Sequence, residues 1–255
     1  MTAIELSRLD ALVTSGASDE AAQNKFRELL TNAINASQRA TDLDPKNYDN
    51  WLSRASVYAS VVPIGIEGAY ESAQETLLEA AKYNPQTPEV EYRVAQMNLA
   101  LRDAAGARRM AEASLKKKAD YTPAILLLAQ VSFNEGKLSD AIDSVVSAVV
   151  LEPNNAQLIY QLGLLQLQAK RYTDAKTSFE QALVVNPDYA NASFFLGQAY
   201  VFLNRTEDAL RQFRDLQAKN TDNTTLRDVI SALEAGTNPF ETPPESPDDV
   251  QTPTD

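Results

Sequence analysis

The residue types that most often carry chemistry in proteins are largely missing from this sequence. It contains 35 Asp and Glu and 23 Lys and Arg, but no His and no Cys. Without His it lacks the commonest general base and metal ligand, and without Cys it cannot form disulfides or thiolate metal sites. The carboxylates have no partner at a spacing typical of an acid–base pair. The sequence therefore predicts no catalytic residue, no metal site and no cofactor.

The charge and hydropathy of the chain limit its partners. The formal net charge is -12 and the isoelectric point is about 4.6, so binding to the phosphate backbone of nucleic acid is disfavoured. No segment approaches the ~18 apolar residues that cross a bilayer, and the N-terminal stretch lacks the basic start and apolar centre of a signal peptide. We therefore expect a soluble chain that binds no nucleic acid and has no direct membrane span.

A helix–turn–helix pattern in residues 156–187 organises the chain, because its neighbours repeat it at a period of 34 residues. The composition is 44% hydrophobic with only 8 Gly, which suits close-packed helices. The stretch resembles a tetratricopeptide repeat, since six residues match that family's pattern: Leu162, Gly163, Ala175, Phe179, Ala182 and Pro187. The resemblance implies an all-α fold, namely a tetratricopeptide-type α-solenoid that forms a right-handed superhelix and ends in a C-terminal capping helix.

The same pattern predicts one solenoid over residues 1–236 and a separate tail. The predicted repeats cover about 1–45, 48–85, 88–119, 122–153, 156–187 and 190–221, and the capping helix covers 222–235. We number these repeats one to six. Residues 237–255 are acidic and rich in Pro, with no Lys or Arg, so they predict a disordered tail.

Two short segments depart from the repeat pattern. Repeat two carries extra residues between Tyr58 and Ala73, in the apolar stretch 61–68, where Pro and two Gly break any helix. An apolar loop would not be left in water without reason, so we expect that it folds back over the array or contacts a partner. Asn238-Pro239-Phe240 either matches a motif that some endocytic adaptor domains bind or marks a fold-back of Phe240 onto the last helix.

The resemblance also implies where a ligand would bind. Tetratricopeptide proteins usually hold ligands with first-helix positions 2, 5, 6, 9, 12 and 13 of each repeat, on the concave surface. In this sequence the candidate ligand-binding residues at such positions are Tyr92, Arg93, Gln96, Leu126, Gln130, Phe133, Tyr160, Gln161, Gln168, Phe194, Phe195 and Gln198. No Lys occurs among them, so the clamp for a terminal carboxylate that chaperone-binding members use is not predicted.

This candidate groove is lined by amides and aromatic rings. Side-chain amides both donate and accept hydrogen bonds, so they suit the backbone of an extended peptide, while the rings supply apolar area. Amides beside aromatic faces would equally suit a sugar. The alternative is that Phe194, Phe195 and Leu127 pack between helices and the Gln residues serve only as good helix formers.

Two functional hypotheses are consistent with the sequence. One is a non-enzymatic scaffold that binds a segment of a partner protein in the concave groove. The other follows from a second resemblance, in which the insertion, the closing helix and the acidic tail are similar to the C-terminal repeat region of bacterial O-antigen ligase-like membrane proteins. That resemblance implies an accessory domain, tethered through a longer parent chain, that positions a glycan or an enzyme. The compartment would be the cytoplasm or the outer side of a bacterial membrane, and self-association through repeat one is a further hypothesis.

Overall fold

A computed structural model describes residues 20–219 and 221–240 of the 255-residue chain. The described residues form helices joined by turns, without a strand. The helices are α1 (Glu20–Leu43), α2 (Tyr48–Ala59), α3 (Ala69–Tyr83), α4 (Glu89–Ala100), α5 (Ala104–Lys117), α6 (Thr122–Asn134), α7 (Leu138–Leu151), α8 (Ala156–Gln168), α9 (Tyr172–Val185), α10 (Ala190–Phe202), α11 (Thr206–Lys219) and α12 (Thr224–Glu234). The start of predicted repeat one and most of the predicted tail lie outside the described residues.

The helices form two compact units, which we describe separately. The N-terminal unit extends to Ser144 and the C-terminal unit begins at Val145. In the N-terminal unit α1 packs on α2, α2 on α3, α4 on α5 and α5 on α6. In the C-terminal unit α8 packs on α9, α9 on α10, α10 on α11 and α11 on α12. Helices that contact their sequence neighbours in this way are typical of tetratricopeptide repeats, and the predicted all-α solenoid fold is confirmed.

The turns inside four successive repeats share one backbone geometry. One residue in each turn has a positive φ angle, and these residues are spaced by 34 positions. They are Arg102 (62°), Gly136 (75°), Lys170 (58°) and Asn204 (57°). After each of them an amide bonds to the carbonyl five residues earlier, as in the 2.8 Å bond from the Lys137 amide to the Ser132 carbonyl. Such a bond closes a helix end through a left-handed residue. The repeat period is therefore visible in the backbone, although only one of the four turns has Gly.

Within a repeat, small residues allow the two helices to approach closely. A Cβ atom added at Gly163 would lie 2.5 Å from the ring of Phe179, and one added at Gly197 would lie 2.6 Å from the ring of Phe213. Both rings are fully buried. Because real Cβ atoms do not come this close to other atoms, each Gly is needed where a first helix packs against a second-helix Phe.

The inserted loop of repeat two folds partly into the core. Val61 and Val62 are 1% and 3% exposed and belong to the cluster that contains Leu77. Ile64 and Ile66 remain 43% and 41% exposed. The loop thus folds back through its two valines and presents its two isoleucines to solvent.

The end of the described chain folds back in the same manner. The ring of Phe240 lies 6.0 Å from that of Phe194, 6.3 Å from that of Phe202 and 6.0 Å from that of Phe213. Phe240 also packs against the core cluster that contains Leu226 of α12. The predicted fold-back of Phe240 is confirmed, because aromatic contacts hold the segment after α12 against α10 and α11.

Candidate functional site

The candidate residues of repeats three and four lie on α4 and α6, two helices that contact each other directly. Gln96 and Gln130 are exposed, and the other four candidates are half-buried. We call this set the N-terminal face; it consists of Tyr92, Arg93, Gln96, Leu126, Gln130 and Phe133. The face therefore combines solvent-facing amides with partly accessible apolar groups.

Among the residues that the structure describes, the two amides on this face make hydrogen bonds within their own helices alone. The Gln96 Nε2 atom donates to the Tyr92 hydroxyl at 2.9 Å, and the Gln130 Nε2 atom donates to Asn134 Oδ1 at 2.8 Å. Each amide group has two N–H donors and a carbonyl oxygen with two lone pairs. Each therefore keeps donor and acceptor capacity for a bound molecule.

An ionic network fixes the position of Arg93. Its Nε atom donates to Glu89 Oε1 at 2.7 Å, and its Nη1 atom donates to the Ser56 hydroxyl of α2, also at 2.7 Å. The Tyr121 hydroxyl donates to the other Glu89 oxygen at 2.5 Å. Burial and this bond to a carboxylate raise the pKa of Tyr121 above its ordinary value of 10.0. The network joins repeat two, repeat three and the turn before α6, and it orients the guanidinium group before any ligand arrives.

An open cleft of about 290 Å³ lies beside this network. Its walls come from α2, the inserted loop, α3 and α4, and Arg93 is the single charged residue among those that line it. The lining residues are Ala55, Ser56, Ala59, Ser60, Pro63, Leu77, Arg93, Gln96, Met97 and Ala100. The cleft is thus mostly apolar, with polar side chains from Ser56, Ser60, Arg93 and Gln96.

The aromatic candidates of repeats five and six are packing residues. Tyr160 is only 9% exposed, and its ring lies 5.9 Å from that of Phe195. Phe195 and Phe179 stack at 6.0 Å, and Phe194 lies 5.5 Å from Phe213. The packing alternative that the sequence offered for Phe194 and Phe195 therefore describes their contacts, and Tyr160 packs in the same way.

The three amide candidates of these repeats differ in accessibility. Gln168 on α8 is exposed and Gln161 is half-buried. Gln198 on α10 has a buried Oε1 atom that accepts no hydrogen bond from the described residues. Helices α8 and α10 contact each other, but only one of their three amide candidates is exposed, whereas both amides of the N-terminal face are.

The structure adds residues that were not among the candidates. Ser56, Glu89 and Tyr121 hold Arg93 in place, and Ser60 and Pro63 form part of the cleft. Glu89, Ser56 and Ser60 occupy positions 2, 9 and 13 of their repeats, so the position rule already pointed to them, whereas Tyr121 and Pro63 lie outside it. The four-residue spacing of Glu89 and Arg93 is a sequence signal for their ion pair. Nothing in the sequence indicated the bonds to Ser56 and Tyr121, because these residues are 37 and 32 positions from their partners.

Over residues 20–219 and 221–240, no group of three or more Asp or Glu residues is arranged to hold a metal ion. Within the same part of the chain, no helix is both long enough and apolar enough to cross a membrane.

Comparison with known families agrees with this architecture. A profile described as tetratricopeptide repeat matches residues 160–224. That range contains α9, α10 and α11 and most of α8, and it includes both Gly–Phe contacts described above. The resemblance to the tetratricopeptide repeat family is confirmed. No curated protein matches the sequence.

Solved structures with the same fold are numerous and distant in sequence. PilW, described as a widely conserved type IV pilus biogenesis factor, is 18% identical with a TM-score of 0.61, and the match covers 90% of this chain and 98% of PilW. YrrB, described as a tetratricopeptide protein with an unusual peptide-binding site, is 17% identical with a TM-score of 0.57, covering 78% of this chain and all of YrrB.

A third match is the Cut9–Hcn1 hetero-tetramer of APC/C, at 18% identity and a TM-score of 0.55. It covers 83% of this chain but only 42% of the matched chain. At these identities the matches establish the fold alone. None of them bears on the resemblance to O-antigen ligase-like proteins, which stays a prediction.

Proposed function

We propose that this protein is a non-enzymatic interaction scaffold whose N-terminal face binds an extended segment of a partner protein. The observation that carries the proposal is the pair of exposed amides, Gln96 and Gln130, on two first helices that contact each other. Tetratricopeptide arrays generally present first helices to their ligands, so the position of the pair fits this role.

The chemistry of the face suits an extended backbone. A peptide segment without internal hydrogen bonds exposes amide donors and carbonyl acceptors at regular intervals. Gln96 and Gln130 each use one donor within their own helix and keep the rest of their amide group free. Leu126 and Phe133 are half-buried on the same helix as Gln130 and add apolar area beside it. The face therefore offers both contacts that hold an extended peptide.

Charge supports a protein ligand over a nucleic acid. The chain carries a net charge of -12, and Arg93, the one cation of the N-terminal face, already pairs with Glu89. A polyanionic backbone would gain little attraction here, because its binding depends on several unpaired cations. A peptide held by amide hydrogen bonds and apolar contacts does not need them.

The proposal is tested with a displayed library of random twelve-residue peptides panned on the full chain. An enriched peptide is then synthesised and titrated against the wild type and the double variant Gln96→Ala/Gln130→Ala. We expect the affinity of the variant to fall about tenfold or more, because each lost hydrogen bond contributes about 0.5–1.5 kcal/mol.

Gln181→Ala is the matched control, since Gln181 is an exposed Gln on the second helix α9 and is not one of the candidate residues. It should bind the peptide like the wild type. If no peptide is enriched, or if the double variant binds as tightly as the control, the proposal is wrong.

A further inference from the structure

The cleft beside Arg93 exists because repeat two differs from the other repeats. The connection from α2 to α3 spans residues 60–68, whereas α4 is joined to α5 by residues 101–103 alone. The longer connection buries Val61 and Val62, and Ser60 and Pro63 then form one side of the cleft. The cleft is thus a property of this chain and not of the repeat pattern.

Arg93 lines this cleft, and one nitrogen of its guanidinium group has no partner among the described residues. Glu89 and Ser56 occupy its Nε and Nη1 atoms, but none of the described residues accepts a hydrogen bond from Nη2. This nitrogen is also absent from the buried unpaired atoms of the described chain, which are Arg54 Nε, Glu91 Oε2 and Gln198 Oε1. The Nη2 group is therefore not fully buried, while Glu89 and Ser56 hold the rest of the guanidinium in place.

The charge of the cleft favours an anion. Among the described residues that line the cleft, Arg93 alone is charged and none is a carboxylate, in a chain that is otherwise strongly acidic. Arg93 and the Tyr121 hydroxyl donate to different oxygens of the Glu89 carboxylate, so both of its oxygens already have a partner. A carboxylate that reaches Nη2 would make a charge-assisted bond to a donor that is already oriented.

Apolar residues define the rest of the ligand. Ala55, Ala59 and Met97 line the cleft, and about 290 Å³ is enough for one aliphatic side chain. We propose that the cleft recognises an internal Asp or Glu side chain of the partner segment, with an adjacent aliphatic residue in the apolar part. This inference rests on the proposed function and adds the identity of one recognised residue.

The test uses a peptide from the library selection, synthesised with an amidated C-terminus so that the side chain is the only source of the carboxylate. The wild type should bind the peptide with Glu at least tenfold more tightly than the same peptide with Gln. In Arg93→Gln this preference should fall to less than twofold. Arg109→Gln, which removes an exposed Arg of α5 outside the cleft, should keep the full preference.

A second variant covers the case in which Arg93→Gln does not fold. Ala100→Glu places a carboxylate at an exposed lining position and leaves the contacts of Arg93 intact, so it should weaken the Glu peptide at least fivefold more than the Gln peptide. Selected peptides without an acidic residue would overturn the inference but leave the scaffold proposal standing. The same conclusion would follow if Arg93→Gln weakened the binding of the Glu peptide and of the Gln peptide equally. Failure to select any peptide would overturn both.

Discussion

Gly163 is the residue on which the fit of repeat five depends most. Replacing Gly by Ala inside a helix normally stabilises it by about 1 kcal/mol, but here the new Cβ would lie 2.5 Å from the buried Phe179 ring. Overpacking costs about 1–3 kcal/mol, so we expect Gly163→Ala to lower the free energy of unfolding by about 1 kcal/mol, as measured by urea denaturation.

The double variant Gly163→Ala/Phe179→Leu provides the control. In the Phe179→Leu background the ring is absent, so adding Gly163→Ala should lower the free energy of unfolding by less than it does in the wild type. A Gly163→Ala variant that is more stable than the wild type would contradict the packing described here.

Tyr121 should make stability sensitive to alkaline pH. Burial and the Glu89 carboxylate raise its pKa in the folded protein, so the unfolded chain loses the phenolic proton first as the pH rises. The stabilisation that comes from keeping Tyr121 protonated in the folded state is fully present below about pH 10, the pKa of the unfolded chain. It is lost as the pH rises from there toward the higher pKa of the folded protein. The free energy of unfolding should therefore fall less between pH 8 and pH 11 in Tyr121→Phe than in the wild type.

Burial also raises the pKa values of four other tyrosines, Tyr48, Tyr92, Tyr160 and Tyr200. The free energy of unfolding of Tyr121→Phe should therefore still fall somewhat at alkaline pH. Tyr83→Phe, at an exposed tyrosine, is the matched control and should follow the wild type. An identical pH dependence for Tyr121→Phe and Tyr83→Phe would show that the Tyr121–Glu89 bond does not contribute.

At the scale of single elements, the inserted loop combines a structural half and a solvent-facing half. Val61 is 1% exposed, and truncation to Ala should destabilise the protein by about 1–2 kcal/mol through lost burial and the cavity left behind. Val184→Ala is the same change at a residue that is 81% exposed, and it should alter the free energy of unfolding by less than about 0.5 kcal/mol. Equal effects in thermal or urea unfolding would mean that the loop is not part of the core.

The segment after α12 is a second element whose contacts are testable. Phe240 is half-buried among rings of α10 and α11, so Phe240→Ala should cost about 1–2 kcal/mol, less than a fully buried Phe would. The loss should be local, and hydrogen exchange should accelerate in the amides of α12 but not in those of α4. Leu43→Ala, at a residue that is 86% exposed, should leave both patterns unchanged. Uniform acceleration throughout the chain would contradict a local role for Phe240.

At the scale of the whole molecule, the repeats could be predicted from the sequence because their signals are local. Gly163, Phe179 and Ala182 lie within one helical hairpin, and the left-handed turn at Lys170 recurs every 34 residues. The site was predictable only in part. Helix register placed Tyr160 and Gln161 on the candidate face, but their different burial depends on which neighbouring rings fill the core. Such packing is decided by side chains far apart in sequence.

The cleft illustrates the same limit. An apolar insertion is visible in the sequence, and so is an Arg on the first helix of repeat three. Their proximity depends on Val61 and Val62 entering the core and on Ser56 bonding to Arg93. Neither event follows from helix periodicity, because both join residues of different repeats.

The most direct test of the scaffold account is a nuclear magnetic resonance titration that follows the side-chain amide signals of Gln. A peptide selected on the full chain is added to protein labelled with ¹⁵N, and the signals are assigned by single Gln→Ala variants. The account predicts that the Nε2 signals of Gln96 and Gln130 shift on binding while that of Gln181, on the second helix α9, does not. Shifts confined to Gln181 and other second-helix residues, with Gln96 and Gln130 unchanged, would contradict it.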